Sequence, residues 1–362
     1  MEFFLDISPF NILFHELRKA GYELLQFVPQ SEHDVNYIRL YPERVNAKEA
    51  LLKKKFTRGD PIFLEHCIDK KYYENATGIN YKLKDLGELF LNNTALPKTK
   101  IYNLFNSSTW DALTPIFEQR GNFARSRYRI IPFFNYLLIA DPLNHPAKDA
   151  VFLNQDSVVL ATWLKNNAEL SGPVVDVGTG TGLLGFTAYN EGCKPVSCLD
   201  VNTKALTYAK ANAELNHMNA IEFHCTSYES FDMTLRGTLI SNPPYMFFPK
   251  NNGRTCEDGG SIYGMETVVG IVNKGLKSNC LIYLILVTPI VNQISIFEKQ
   301  IKQAASIDRK IIIDRISVPA RAQYGSKYYK LLQQHGVSAL EFCIYIIRNK
   351  HMEAQSCPSF LG

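Results

Sequence analysis

No Cys-x-x-Cys pair occurs in the chain, and its eight cysteines, at positions 67, 193, 198, 225, 256, 280, 343 and 357, are scattered. That spacing excludes a zinc ribbon or a disulfide framework and predicts thiols kept in a reducing compartment, with no metal. The longest apolar run, Cys280 to Val291, is too short to span a bilayer. The opening stretch MEFFLDISPF carries acids where a secretory leader needs bases. Together these predict a soluble cytoplasmic protein that does not bind membranes. Internal repeats and low-complexity tracts are missing, which excludes solenoid and fibrous designs. A large charge excess is missing too: 39 basic against 35 acidic residues leave +4, too mild to demand a nucleic acid partner but compatible with one.

The 362 residues present are enough for two or three domains and at least one sizeable core. Residues 1–120 read as a mainly helical N-terminal domain, winged-helix-like in outline. Leu13, Leu17 and Leu24 recur at helical spacing, and later short apolar pieces are separated by proline and asparagine. A basic cluster at Lys53, Lys54, Lys55 and Arg58 reads as a solvated helix end. Residues 121–172 form a β-containing connecting segment. There Arg125, Arg127 and Arg129 alternate with Ser126, Tyr128 and Ile130, the period of a strand. Such a face either meets phosphates or simply faces water.

From residue 173 to 362 the pattern changes. Apolar runs begin near 174, 196, 220, 238, 280, 310 and 340, with helix candidates between the first five. Strand alternating with helix predicts an α/β fold, a seven-stranded mostly parallel sheet covered by helices on both faces. In such sheets ligands bind beyond the carboxyl ends of the strands.

Two stretches lie at such ends. VVDVGTGTGLLG (Val174 to Gly185) places Gly178, Thr179, Gly180 and Gly182 after the first strand. Glycine there lets the backbone turn sharply and approach a ligand. Gly180, Gly182 and Gly185 also satisfy G-x-G-x-x-G, a weak dinucleotide signature on its own. Asp176 argues against that reading, because a carboxylate there repels a pyrophosphate and suits a ligand with a cationic amino-acid end. Asp200 ends the second strand, where an acid accepts hydrogen bonds from ribose hydroxyls. The ligand that fits both acids is S-adenosylmethionine.

The second stretch is SNPPY, Ser241 to Tyr245, after the fourth strand. Residues before proline are held extended, so Pro243 and Pro244 stiffen the segment and fix Asn242. Asn242 brings an acceptor oxygen and two donor hydrogens, and Tyr245 a flat face and a hydroxyl. That equipment suits a nitrogen on a planar conjugated group. Asn242 and the Pro243 carbonyl would accept its hydrogens and turn its lone pair toward a methyl donor, by positioning and fixed dipoles.

Taken together, the glycine loop, CLDVN and the Asn-Pro-Pro-Tyr stretch resemble the class I S-adenosylmethionine-dependent methyltransferases. More narrowly they resemble the amino-methyltransferase group, which includes release-factor glutamine, ribosomal RNA guanine and adenine N-methyltransferases with a "methyltransferase small domain". The resemblance runs from about Tyr128 to Val287, and more weakly to Arg348. It implies a Rossmann-like sheet, and donor contacts from Asp176, Gly178, Thr179, Gly180, Gly182, Asp200 and Asn242. It also implies catalytic roles for Asn242, Pro243 and Tyr245. Asp258, Gly259, Gly260 and Gly264 match a segment that shapes the substrate pocket in related enzymes, and Pro244, Arg127 and Arg129 join them as candidate substrate contacts. One departure is Ser227, where relatives carry an acid that meets the adenine amine.

Three functions remain open at this point. The leading one is N-methylation of a planar amine or amide in RNA or protein. The others are methylation of a small metabolite or natural product, and a scaffold without turnover. A dehydrogenase would leave the Asn-Pro-Pro-Tyr stretch unexplained. A mixed basic and aromatic run with Arg321, Tyr324, Lys327, Tyr328, Tyr329 and Lys330 suits nucleic acid or a packed helix equally.

Overall fold

Helix α1 (Ser8–Lys19) forms where Pro9 sits at its start and Phe10, Leu13, Phe14 and Leu17 repeat at the spacing of one helical face. All four are buried, and Gly21, at φ +74°, turns the chain away after the last turn. This is a computed structural model. It describes residues 4–25, 81–142, 145, 147–153, 155–168, 170–233, 237–247, 258–304, 311–318 and 327–350. The basic cluster at 53–58, and Arg321 and Tyr324, lie outside the described residues.

Next come α2 (Tyr81–Leu86), β1 (Leu96–Pro97), α3 (Lys98–Leu104) and α4 (Ser107–Leu113), then the hairpin β2 (Phe117–Arg120) and β3 (Phe123–Ser126). Asn106 caps α4, its side chain accepting from the Thr109 N–H at 2.8 Å. The three strands form a small sheet in the order β1-β3-β2. A second hairpin, β4 (Arg129–Phe133) with β5 (Tyr136–Ala140), is buried throughout.

The single strand expected across Arg125 to Arg129 is therefore broken into two, with Arg127 exposed between them. Arg125 pairs with Glu118 at 2.8 Å. Arg129 is 1% exposed, and its Nε donates to the Leu91 carbonyl at 3.0 Å. Enclosed in this way, Arg129 ties β4 to the segment that ends at Leu91.

The main sheet follows helix α5 (Gln155–Asn167). Its elements are β6 (Val174–Val177), α6 (Leu183–Asn190), β7 (Val196–Asp200), α7 (Thr203–Leu215), β8 (Ile221–Cys225), β9 (Thr238–Ser241), α8 (Glu266–Lys277), β10 (Leu281–Val291), β11 (Ile294–Ser295), α9 (Ile296–Ala304), β12 (Ile311–Val318), α10 (Lys327–Gln333) and β13 (Ala339–Asn349). The strand order is β12-β13-β10-β9-β6-β7-β8, with the two-residue β11 an additional strand against β10. Strands β8, β7, β6, β9 and β10 are parallel; β13 runs antiparallel to both β10 and β12. Each of the seven expected apolar runs thus becomes a strand, with one reversed.

Strand β10 shows how the sheet separates two cores. Tyr283, Ile285 and Val287 point to one face, and Ile282, Leu284 and Leu286 to the other. The first core is continuous from Phe10, Leu13 and Leu17 of α1 through Leu138 and Ile139 to Leu160 and Ile240. The second lies beneath α8 and α9, with Ile271, Leu276 and Phe297. No helix among the described residues is long and apolar enough to cross a membrane.

Helix α7 joins the β4–β5 hairpin to this sheet through polar side chains. Asn212 accepts from the Ile139 N–H at 2.7 Å and donates to the Ile139 carbonyl at 3.1 Å and the Thr181 carbonyl at 3.0 Å. One helical turn on, Asn216 treats Leu137 the same way, at 3.1 and 2.9 Å. The two amides stand in for a neighbouring strand and satisfy an edge that burial would otherwise leave unpaired. Nearby, the buried Asp141 receives Lys204 Nζ, the Tyr208 hydroxyl and the Val151 N–H, each at 2.7 Å.

Asn212→Ala will strand three buried backbone groups. Urea unfolding is expected to show a loss of about 3 kcal/mol or more, against less than about 0.5 kcal/mol for Glu214→Ala on the exposed face of the same helix.

Candidate functional site

The sheet changes direction at β6, which has β7 on one side and β9 on the other. A crevice at such a point opens beyond the strand ends. The glycine loop after β6, Asp200 at the end of β7 and Asn242 after β9 all meet there. Ser241 ties two of the strand ends together, its hydroxyl donating to the Val177 carbonyl at 2.6 Å.

The loop is held from beneath. Asp176 is fully buried, and its Oδ2 accepts from the Thr179 hydroxyl at 2.6 Å and the Gly185 N–H at 2.9 Å. Gly178 and Gly180 take φ values of +73° and +55°, which side-chain-bearing residues rarely adopt. A Cβ built on either meets nothing within 4 Å, so the upper side of the loop is open. Beside it, Asp200 Oδ2 accepts from the Gly180 N–H at 3.0 Å and Oδ1 from the Asn202 N–H at 2.9 Å. Asn202 also caps α7 through Lys204 N and donates to the Asp149 carbonyl.

Asp176 and the Thr179 hydroxyl bond to each other beneath the loop and so shape it. Only Asp176 Oδ1, buried and without a hydrogen-bond partner among the described residues, is left to accept. Asp200 is half-buried at the rim, where each carboxylate oxygen keeps a lone pair. Next to it Val201 is 58% exposed, an apolar surface that strand periodicity alone did not single out.

Burial pushes the Asp176 carboxyl up to about 7, against the hydrogen bonds from Thr179 and Gly185 that favour its ionised form. Burial also raises Asp200, opposed by the backbone N–H groups it accepts from.

Across the crevice, Asn242 Nδ2 donates to Ser157 Oγ at 2.9 Å. The Tyr245 hydroxyl donates to Asp156 Oδ2. Both partners lie in the first turn of α5, and the sequence alone gave no reason to select them. Pro243 is buried, and Pro244 half-buried.

From the other side the segment of Asp258 to Gly264 packs on this stretch, backbone to backbone. Gly259 N–H donates to the Met246 carbonyl at 2.8 Å. A Cβ at Gly259 would lie 2.8 Å from the Pro244 carbonyl oxygen, and one at Gly264 only 2.2 Å from that of Tyr245. Asp258 accepts from the Gly260 N–H at 3.0 Å. In this structure these residues buttress the Asn-Pro-Pro-Tyr stretch. Arg127 lies apart from the crevice in sequence and secondary structure, between the β2–β3 and β4–β5 hairpins. No group of histidine, cysteine and acidic side chains suited to a metal occurs among the described residues.

The methyltransferase small domain family matches residues 150–254, which hold the glycine loop, Asp200 and Asn242. A Methanocaldococcus jannaschii protein assigned as a protein N5-glutamine methyltransferase is 33% identical over 97 residues, 25% of this chain and 45% of that one. The tRNA1(Val) (adenine(37)-N6)-methyltransferase of Bacteroides fragilis is 27% identical over 135 residues, 35% of this chain and 56% of that one. The ribosomal protein L11 methyltransferase of Lactobacillus delbrueckii subsp. bulgaricus is 41% identical over 95 residues, 25% of this chain and 30% of that one. The chain spans between 26% and 56% of the length of the curated relatives it matches.

Two outcomes test the geometry. Because the folded Asp176 titrates above an unfolded aspartate, the native state holds its proton more tightly. Its contribution to stability is complete below about pH 4 and is lost as pH rises to about 7, by at most about 1.4 kcal/mol per unit. Urea midpoints between pH 5 and 8 should fall more steeply for the native chain than for Asp176→Asn. Separately, Gly264→Ala forces a side chain against the Tyr245 carbonyl at φ +70°. It is expected to lower stability by about 1–3 kcal/mol more than Gly121→Ala, whose Cβ meets open space, in the same denaturant series.

Proposed function

We propose that this chain, which carries a methyltransferase small domain, transfers a methyl group from S-adenosylmethionine to a planar amine or amide nitrogen of a macromolecule, an RNA base or a protein side chain. The observation that carries the reading is the meeting of the half-buried Asp200, the open glycine loop and Asn242 at one switch point of the sheet.

The residues fit that donor. The open side of Gly178 and Gly180 leaves room for close backbone approach, Asp200 offers acceptors to ribose hydroxyls, and Val201 offers an apolar face to a base. Asp176 Oδ1 is a buried acceptor beneath the loop, open to a positive group or a bridging water. Bound there, the donor supplies a methyl group on a positively charged sulfur. The chain's own part is positioning. Asn242 Oδ1, left free of α5 by the bond its nitrogen makes, accepts an acceptor N–H together with the Pro243 carbonyl. The nitrogen lone pair is thereby directed out of the plane. The Tyr245 ring covers the plane. No covalent intermediate on the protein is required.

Residues 81–126 support a macromolecular acceptor. Helix, strand, two helices and a hairpin, with sheet order β1-β3-β2, have the connectivity of a winged helix. We assign this unit as a leader domain that grips the acceptor, with Arg120 and the half-exposed Phe123 and Tyr102 at its surface and the exposed Arg127 directly after it.

Incubation with radiolabelled donor and either total RNA or cell lysate should place label in the RNA or protein fraction; label confined to small molecules would defeat the macromolecular reading. Asp200→Ala is expected to weaken S-adenosylhomocysteine binding by calorimetry by about tenfold or more. Asn242→Ala should spare that binding and lower turnover by about a hundredfold. The reverse pattern would show the two pockets assigned the wrong way round.

A further inference from the structure

We infer that Asp156 and Ser157, consecutive in the first turn of α5, are positioning residues that sort the hydrogen-bonding groups of Asn242 and Tyr245. The inference rests on the methyl-transfer reading above and deepens it.

Residue 156 takes the Tyr245 hydroxyl and residue 157 takes an amide hydrogen of Asn242. The only hydrogen of the phenol and one of the two amide hydrogens are thus directed into α5. With one hydrogen held by Ser157, the Asn242 amide keeps one orientation, and its oxygen and second hydrogen are left for other partners. An oxygen fixed in this way can accept from the N–H of a planar amine or amide in one direction only. The aim of that acceptor oxygen is therefore set by residues that need not touch the substrate.

Helix α5 is a firm support for this task. Leu160, Ala161 and Leu164 are fully buried, and Trp163 packs on Tyr283 of β10 with ring centres 5.8 Å apart. An acid in the first turn is favoured by the helix dipole. Burial raises the Asp156 carboxyl, and the Tyr245 hydrogen bond opposes that rise. On the opposite side Gly259 and Gly264 press directly on the Pro244 to Met246 backbone. The stretch is thus gripped between a core helix and a glycine segment, a design that holds reacting groups within fractions of an ångström.

The test compares Asp156→Ala, Asp156→Asn, Ser157→Ala and Ser157→Thr, with Asn242→Ala as reference. Single-turnover methyl transfer to the fraction the native chain labels should fall about tenfold to a hundredfold in the two alanine variants, with S-adenosylhomocysteine affinity unchanged. Asp156→Asn still offers an oxygen and Ser157→Thr a hydroxyl, so both should recover much of the rate. Hydrogen exchange of the 238–247 segment, which needs no acceptor, should accelerate severalfold in the alanine variants and not in the conservative ones. Native rates and native exchange in the alanine variants would overturn the inference. So would an Asp156→Asn rate as low as that of Asp156→Ala, which would mean that the carboxylate acts as a base. A full rate in Asn242→Ala, or no label with the native chain, would instead defeat the methyl-transfer reading, and the exchange measurement would still decide whether the brace exists.

Discussion

One buried carboxylate organises the crevice. Asp176 closes the glycine loop from below by accepting both the Thr179 hydroxyl and the Gly185 N–H, so the strand, the loop and the start of α6 are tied together. A carboxylate placed wholly inside a protein is poorly solvated and holds its proton more readily, and the shift of Asp176 to about 7 is the consequence. The loop can then present its backbone upward, since the groups that would compete for the carboxylate are already satisfied. Asp200, one strand over, has the complementary position: it touches the loop through Gly180 and keeps its outer face at the rim.

The parallel order of the strands converts sequence distance into proximity. Val174–Val177 and Thr238–Ser241 are neighbours because β9 returns to the far side of β6 after β7 and β8 have extended the other edge. The hydrogen bond from Ser241 to Val177 fixes that junction. The Asn-Pro-Pro-Tyr stretch leaves the sheet at this place, and two proline residues limit where it can go. Its final geometry comes from what presses on it, α5 on one side and the Asp258–Gly264 segment on the other. The glycines of that segment matter for the room they leave, because any side chain would strike the neighbouring carbonyls.

The leader region is fastened to the sheet by polar contacts inside an apolar setting. Asn212 and Asn216 complete the edge of β5, Asp141 gathers a lysine, a phenol and an amide, and Arg129 reaches Leu91. Each of these groups is expensive to bury alone and specific when paired. They give the hairpin one register against α7, where a purely apolar contact would tolerate several. Between β5 and α5, the Asp149 carbonyl accepts from Asn202 Nδ2, the residue that caps α7 beside Asp200.

The residues alone determined a good deal. Apolar runs at regular intervals required an α/β sheet, the glycines required a tight open loop after the first strand, and Asn242 with two prolines required a stiff acceptor-bearing segment after the fourth. These are local properties, set by backbone sterics and by periodicity within a few residues. Folding decided the rest. Arg129 looked like one of three equivalent surface bases and is enclosed, because the strand breaks at residue 127 and the two halves face different surroundings. Asp176 carries a support role that the chain pattern does not show, since one of its oxygens is taken by the Thr179 hydroxyl and the Gly185 N–H. Asp156 and Ser157 carried no signal, since their partners lie 89 and 85 residues away. Which hydrogen a side chain gives up, and to whom, depends on what the tertiary structure brings within 3 Å, and no pattern along the chain encodes that distance.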